Sequence, residues 1–160
     1  MSSQKAGEQP AGPGPGRPVL IATDFSSFSE PALDAAIEQA RQRNAELVIA
    51  HVYARPSRNA IDDVFVPGLS REIEVATCDQ ALQRLEPLLA RARRAGVSAR
   101  GLALEGNPER MILESARTTD AVLVVIGTHG RQGLRRLMLG SVASGVVAGS
   151  PCPVMTVRPA

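Results

Sequence analysis

Ala121-Val-Leu-Val-Val-Ile126 is an unbroken apolar run that breaks into Gly127-Thr-His-Gly130. Six apolar residues in a row show no alternation. Both faces of the segment are therefore expected to be covered, as in the central strand of a parallel sheet. Toward the C-terminus, a helix is predicted from Gly140 or Ser141 to about residue 148, and Pro151-Cys-Pro-Val-Met-Thr-Val157 reads as a closing strand. Toward the N-terminus, Asn107-Pro108 supplies an N-cap and a first-turn proline for a helix reaching about residue 118. Val97–Leu104 reads as a strand before it. Val75, Cys78, Leu82, Leu85 and Leu89 repeat at three and four, which predicts a helix over about 70–95 stopped by Gly96. Residues 54–69, with two prolines and one glycine, read as a long connection. Glu46-Leu-Val-Ile-Ala-His-Val-Tyr53 reads as a strand. Leu33, Ala36, Ile37 and Ala40 predict a helix over 28–43, with Ser27 and Glu30 at capping-box spacing. Pro18-Val-Leu-Ile-Ala22 is the first strand.

The resulting order is βαβαβαβαβ. It predicts an α/β fold: a five-stranded parallel sheet, doubly wound and Rossmann-like, with helices on both faces. A chain of 160 residues suits one such domain, expected over 18–160. The stretch Ala11-Gly-Pro-Gly-Pro-Gly16 is expected to hold neither helix nor ladder, and residues 1–17 read as a disordered tail. Ligands of such sheets bind beyond the carboxyl ends of the strands, near the point where strand order reverses. Three places meet that rule: Thr23-Asp24, His51-Val52, and Gly127 onward.

Composition narrows the partners. The chain is 44% apolar and 21% charged, the balance of a soluble domain. Aromatics make up 2%, with no Trp, so the core falls to Val, Leu, Ile and Ala, and a nucleic-acid surface built on stacked bases is not expected. A net charge of +2 does not argue for a polyanion. Cys78 and Cys152 make neither a disulfide framework nor a metal cluster, and a reducing cytoplasm is the expected compartment. No apolar run is long enough to cross a bilayer, and the N-terminus lacks the apolar core of a signal peptide.

The candidate chemistry sits in the glycine loop. Gly127, Gly130, Gly140 and Ser141 have the spacing G-x2-G-x9-G-[ST], between a buried strand and a helix start. Glycines let backbone N–H groups approach phosphate oxygens without a Cβ in the way. A helix start adds unpaired N–H groups and a positive dipole end, and the Ser141 hydroxyl can donate one more bond. Arg131, Arg135 and Arg136 could add charge. The same glycines could instead serve only the geometry of a long turn. This is not a Walker P-loop, because no Gly-Lys-[ST] occurs and Lys5 is the only lysine. No G-x-G-x-x-G opens the first helix either, so the dinucleotide fingerprint is missing.

Taken together, these segments resemble the universal stress protein family. The resemblance runs from Pro18 to Arg158 and rests on Ala22-Thr-Asp-Phe-Ser26, His51-Val52, Gly127-Thr-His-Gly130, Leu139-Gly-Ser-Val-Ala143 and Ser150-Pro-Cys-Pro-Val154. The glycine spacing is that of the family's ATP-binding branch; another branch lacks these glycines and does not bind ATP. The resemblance implies that Ala22, Thr23 and Asp24 border the nucleoside and that the backbone of Val52 meets the adenine edge. It also implies that Ile126 and Gly127 line the ribose side, and that Gly130, Gly140, Ser141 and Val142 hold the phosphates. The implied cofactor is ATP, with Mg²⁺ as a candidate companion. The implied partner is a second copy, joined through the last strand, Val154–Val157. The tail is an addition to the family pattern, and nothing is carried onto residues 54–69.

Single residues keep their alternatives. Asp24 could accept bonds from ribose or adenine, hold Mg²⁺, or cap the following turn. His51 reads as a hydrogen-bonded core or rim residue, and His129 as a polar loop group. Cys78 reads as a packed thiol, and Cys152 as structural, with a redox role as its alternative if the thiolate is exposed. Arg91-Ala-Arg-Arg94 suits the negative end of its helix. The expected function is a dimeric, cytoplasmic, nucleotide-binding regulator of the stress response. The alternatives are a slow ATPase or nucleotide hydrolase, and an interaction protein with a vestigial site. No positioned base or metal-ligand spacing involves the two histidines, so the loop reads as holding a nucleotide more than cleaving it.

Overall fold

The structure, a computed structural model, describes residues 16–54, 69–128 and 139–158, with the side chains of residue 28 and residues 69–76 outside the description. The elements are β1 (Gly16–Ala22), α1 (Glu30–Arg43), β2 (Ala45–Tyr53), α2 (Leu69–Arg94), β3 (Ala99–Glu105), α3 (Pro108–Thr118), β4 (Leu123–Gly127), α4 (Ser141–Gly149) and β5 (Val154–Val157). The five strands form one parallel sheet in the order β3-β2-β1-β4-β5. The expected α/β doubly wound sheet is therefore the observed fold.

The apolar run around residues 121–126 occupies the place its lack of alternation predicts. Val124 and Val125 have no exposed surface, and β4 lies between β1 and β5. Period-2 alternation sorts the strand residues onto two cores. Val19, Ile21, Leu47, Ile49, Leu123 and Val125 pack against α1 and α2 through Leu33, Ala36, Leu85 and Leu89. Leu20, Val48, Ala50, Val124 and Ile126 pack on the other face against α3 and α4 through Ile112, Ala116, Ala143 and Val146. Leu85 is fully buried; burying such a side chain stabilises the fold by about 1.5–3 kcal/mol. Gly101 in β3 makes this contact possible, because a Cβ there would stand 3.2 Å from Leu85 Cδ1.

Several local expectations are corrected. β1 starts at Gly16, two residues before the expected Pro18, and Arg17 reaches the Asp120 carboxylate at 2.8 Å. Ser27 does not cap α1. A 3-10 turn covers Ser27–Ser29, Ser29 stands at the N-cap without a side-chain cap bond, and its hydroxyl bonds Ser26 O and Thr23 Oγ1 instead. Leu82, assigned by periodicity to the buried stripe of α2, is 44% exposed; Ala81, Leu85, Leu89 and Ala92 form the inward face. Arg91, Arg93 and Arg94 stand in the last turn of α2 as expected, and Arg91 in addition pairs with Glu30, at 2.5 Å, and with Asp34 on α1. Arg93 pairs with Glu86 and also donates to Ala99 O. Asn107 caps α3 as expected, accepting from Arg110 N at 3.0 Å.

The expected tail up to residue 15 and the connection at 55–68 lie outside the described residues. Among the described residues no helix is long and apolar enough to cross a membrane.

Candidate functional site

Strand order reverses between β1 and β4, which sit side by side while their onward connections run to opposite sides of the sheet. Ala22 lies opposite both Ala50 of β2 and Ile126 of β4. The chain therefore leaves β1 at Thr23 and β4 at Gly127 from adjacent points of one edge, where a crevice opens on sheets of this topology.

The exit from β1 is gripped by β2. Thr23 N donates to Ala50 O at 2.9 Å, extending the ladder one residue beyond the strand. His51 lies 9% exposed, and its Nδ1 is 2.8 Å from Thr23 O. A carbonyl only accepts, so Nδ1 carries the proton. Thr23 Oγ1 accepts from Phe25 N at 3.1 Å, and Asp24 Oδ1 accepts from Ser26 N at 3.0 Å and Ser26 Oγ at 2.6 Å. Asp24 thus does cap the following turn, one of the three roles its position allowed. His51 is the hydrogen-bonded residue its place on an apolar strand predicted.

Val52, the last but one residue of β2, is half-buried opposite Leu104 of β3, with its side chain on the core shared with α3 and α4. Ala22, Ile126 and Val142 pack on the same core. These four side chains therefore share one face of the sheet.

The exit from β4 closes on itself. Thr128 is buried, its N–H donates to Val157 O, and its carbonyl accepts from Gly140 N at 2.9 Å. The bond from Gly140 sets the N-terminus of α4 at the carboxyl end of β4. This bond engages the Gly140 N–H, so what Gly140 offers a ligand is closeness: a Cβ there would lie 3.3 Å from Thr128 O. The next three N–H groups, of Ser141, Val142 and Ala143, find no acceptor among the described residues, as the first turn of a helix predicts. They carry the positive end of the α4 dipole. Ser141 is exposed and Val142 half-buried.

Of the expected site residues, Ala22, Thr23, Asp24, Ile126, Gly127, Gly140, Ser141 and Val142 thus gather where β1, β4 and α4 meet, and Val52 lies on the same edge at the end of β2. Gly130 lies outside the described residues, as do His129, Arg131, Arg135 and Arg136. Both cysteines are half-buried; the Cys152 side chain packs on the α3/α4 core. No cluster of metal-ligating side chains occurs among the described residues.

One feature at the edge had no signal in the sequence. Phe25 sits at φ +62°, a conformation that bulky residues avoid. Its ring lies against His51, with centroids 4.3 Å apart, and the Arg84 guanidinium of α2 lies 4.1 Å from the Phe25 centroid. These contacts join residues far apart in sequence, so no local pattern announces them.

Comparison with known proteins agrees with this architecture. The model of the universal stress protein family matches residues 16–158. Universal stress protein YxiE of Bacillus subtilis is 36% identical over 144 residues, covering 88% of this chain and 97% of its own. A solved universal stress protein in complex with cAMP is 26% identical with a TM-score of 0.67, over 90% of this chain and 98% of that one. The universal stress protein of Archaeoglobus fulgidus in complex with dAMP shares the fold at 22% identity and a TM-score of 0.62, over 88% of this chain and 97% of that one.

Proposed function

Because the chain belongs to the universal stress protein family, we propose that it binds an adenine nucleotide, ATP, at the edge where β1, β4 and α4 meet, and acts as a nucleotide-dependent regulator in the stress response. The observation that carries this reading is the set of N–H groups of Ser141, Val142 and Ala143 that find no acceptor among the described residues, beside the exit of β4. An anion is stabilised there by hydrogen bonds and by the helix dipole together.

The remaining assignments follow from position. Thr23 and Asp24 would border the nucleoside, the backbone of Val52 would meet the adenine edge, and Ile126 and Gly127 would line the ribose. Ser141 and Val142, with Gly130, would hold the phosphates. The close approach of Gly140 to Thr128 O fits this assignment, because any side chain there would press on the cradle. The relatives solved with cAMP and dAMP favour an adenine base. ATP would supply the triphosphate, with Mg²⁺ as its companion, whose bound state biases a conformation or a partner contact.

A second copy would join through β5. That strand pairs with β4 on one side and ends the sheet on the other, and an open edge invites pairing.

The test is isothermal titration of the purified protein with MgATP, ADP, cAMP, adenosine and MgGTP, alongside light scattering for mass. Adenine compounds should bind and MgGTP should not, on a particle of twice the chain mass. Silence from all adenine compounds would remove the reading.

A further inference from the structure

We propose that Phe25, in contact with both His51 and Arg84, is a positioning residue that holds Thr23 and Asp24 in the nucleoside-binding conformation; this rests on the nucleotide reading above. The sheet divides the labour. Ala22, Val52, Ile126 and Val142 pack on the α3/α4 core. Phe25 packs on the core shared with α1 and α2. The stack therefore braces the edge from behind, on the side away from those four side chains.

Three observations make it a brace and not ordinary packing. Phe25 pays for an αL conformation, and a bulky residue stays there only where its surroundings over-determine it. Its surroundings do so: the N–H bonds Thr23 Oγ1, one side of the ring meets His51, and Arg84 covers the ring at cation–π distance. His51, held against that ring, is the group that donates to Thr23 O. Thr23 is thereby fixed through its N–H, carbonyl and hydroxyl, and Asp24 is presented between two anchored neighbours. Because Arg84 is exposed and stands on α2, the brace ties the nucleoside edge to the outer surface of that helix.

The test uses Phe25→Leu, Arg84→Met and Arg84→Lys in the full chain. Leucine keeps the apolar bulk and the unfavourable φ but loses the ring face; methionine keeps the stem of Arg84 and loses its charge. Adenosine and MgATP titrations should both weaken, about tenfold for Phe25→Leu and about threefold for Arg84→Met. Arg84→Lys should restore binding. In nucleotide-free protein, hydrogen exchange at the Phe25 and Ser26 amides should quicken in the first two variants while the β4 amides stay protected. Wild-type protein that binds, with variants that bind and exchange alike, overturns the brace. Wild-type protein that binds no adenine compound overturns the site reading, and the brace with it. Should Phe25→Leu fail to fold, Arg84→Met, altered at an exposed position, decides the matter on both measurements.

Discussion

Gly140→Val tests the proposed phosphate half of the site apart from the proposed nucleoside half. Gly140 has φ −58° and ψ 156°, a conformation open to L-residues, so the substitution carries no backbone strain. Its effect is steric. A Cβ would stand 3.3 Å from Thr128 O, closer than ordinary contact, and the atom it meets is backbone that cannot rotate away. Either Thr128 or the first turn of α4 must move, and the 2.9 Å bond from Gly140 N to Thr128 O must stretch or tilt. Overpacking of this kind costs about 1–3 kcal/mol of stability. A hydrogen bond to a charged group is worth about 1.5–3 kcal/mol, so misplacing one N–H of α4 should weaken MgATP binding by about 10- to 150-fold. Adenosine makes no phosphate contact, and its affinity should stay within about twofold in a fold whose far-UV spectrum is unchanged, because uniform binding at the nucleoside end is untouched. Calorimetric titration of the variant with both ligands gives the answer. Equal losses for MgATP and adenosine, or no loss for either, would refute phosphate capture by α4.

Other expectations bear on the scaffold and the neighbouring turn. Leu85→Ala should lower unfolding free energy by about 3 kcal/mol in urea melts, and Gly101→Ala by about 1 kcal/mol. Because the two side chains meet, the double variant should cost less than the sum, as a double-mutant cycle would register. Asn107→Ala should cost about 1 kcal/mol through the lost cap on Arg110 N, with an unchanged denaturant slope. Arg91→Ala removes contacts to both Glu30 and Asp34, yet these carboxylates are more than half exposed, so chemical denaturation should show a loss below about 1 kcal/mol. Asp24→Asn keeps the oxygen that accepts from Ser26; it should leave the melting temperature in place while lowering nucleotide affinity, and equal affinity would confine Asp24 to its turn.

The fold was legible because its decisive signals are local. The unalternating run of β4, the cap at Asn107 and the three-four spacing of α1 each report on a few adjacent residues, and the sheet follows from their order. The meeting of the expected residues at one edge was legible for the same reason: the order of a doubly wound sheet puts the ends of β1 and β4 side by side. Where reading failed, a competing local turn or the packing of neighbouring residues had displaced the expected role. Ser29 Oγ bonds Thr23 and Ser26, so no capping box forms at Ser27. Leu82 fits the spacing of α2 but faces water, because the inward arc is filled by Ala81, Leu85 and Leu89. The stack of Phe25, His51 and Arg84 draws on three elements at once and has no signature in any one of them.

The most direct test of a nucleotide held between β1, β4 and the start of α4 is an amide-resolved NMR titration, comparing adenosine with MgATP. Adenosine should shift Thr23, Asp24, Val52 and Gly127, and MgATP should add large downfield shifts at Ser141, Val142 and Ala143. Shifts that gather on another surface, or MgATP changes that leave those three amides still, would contradict the account.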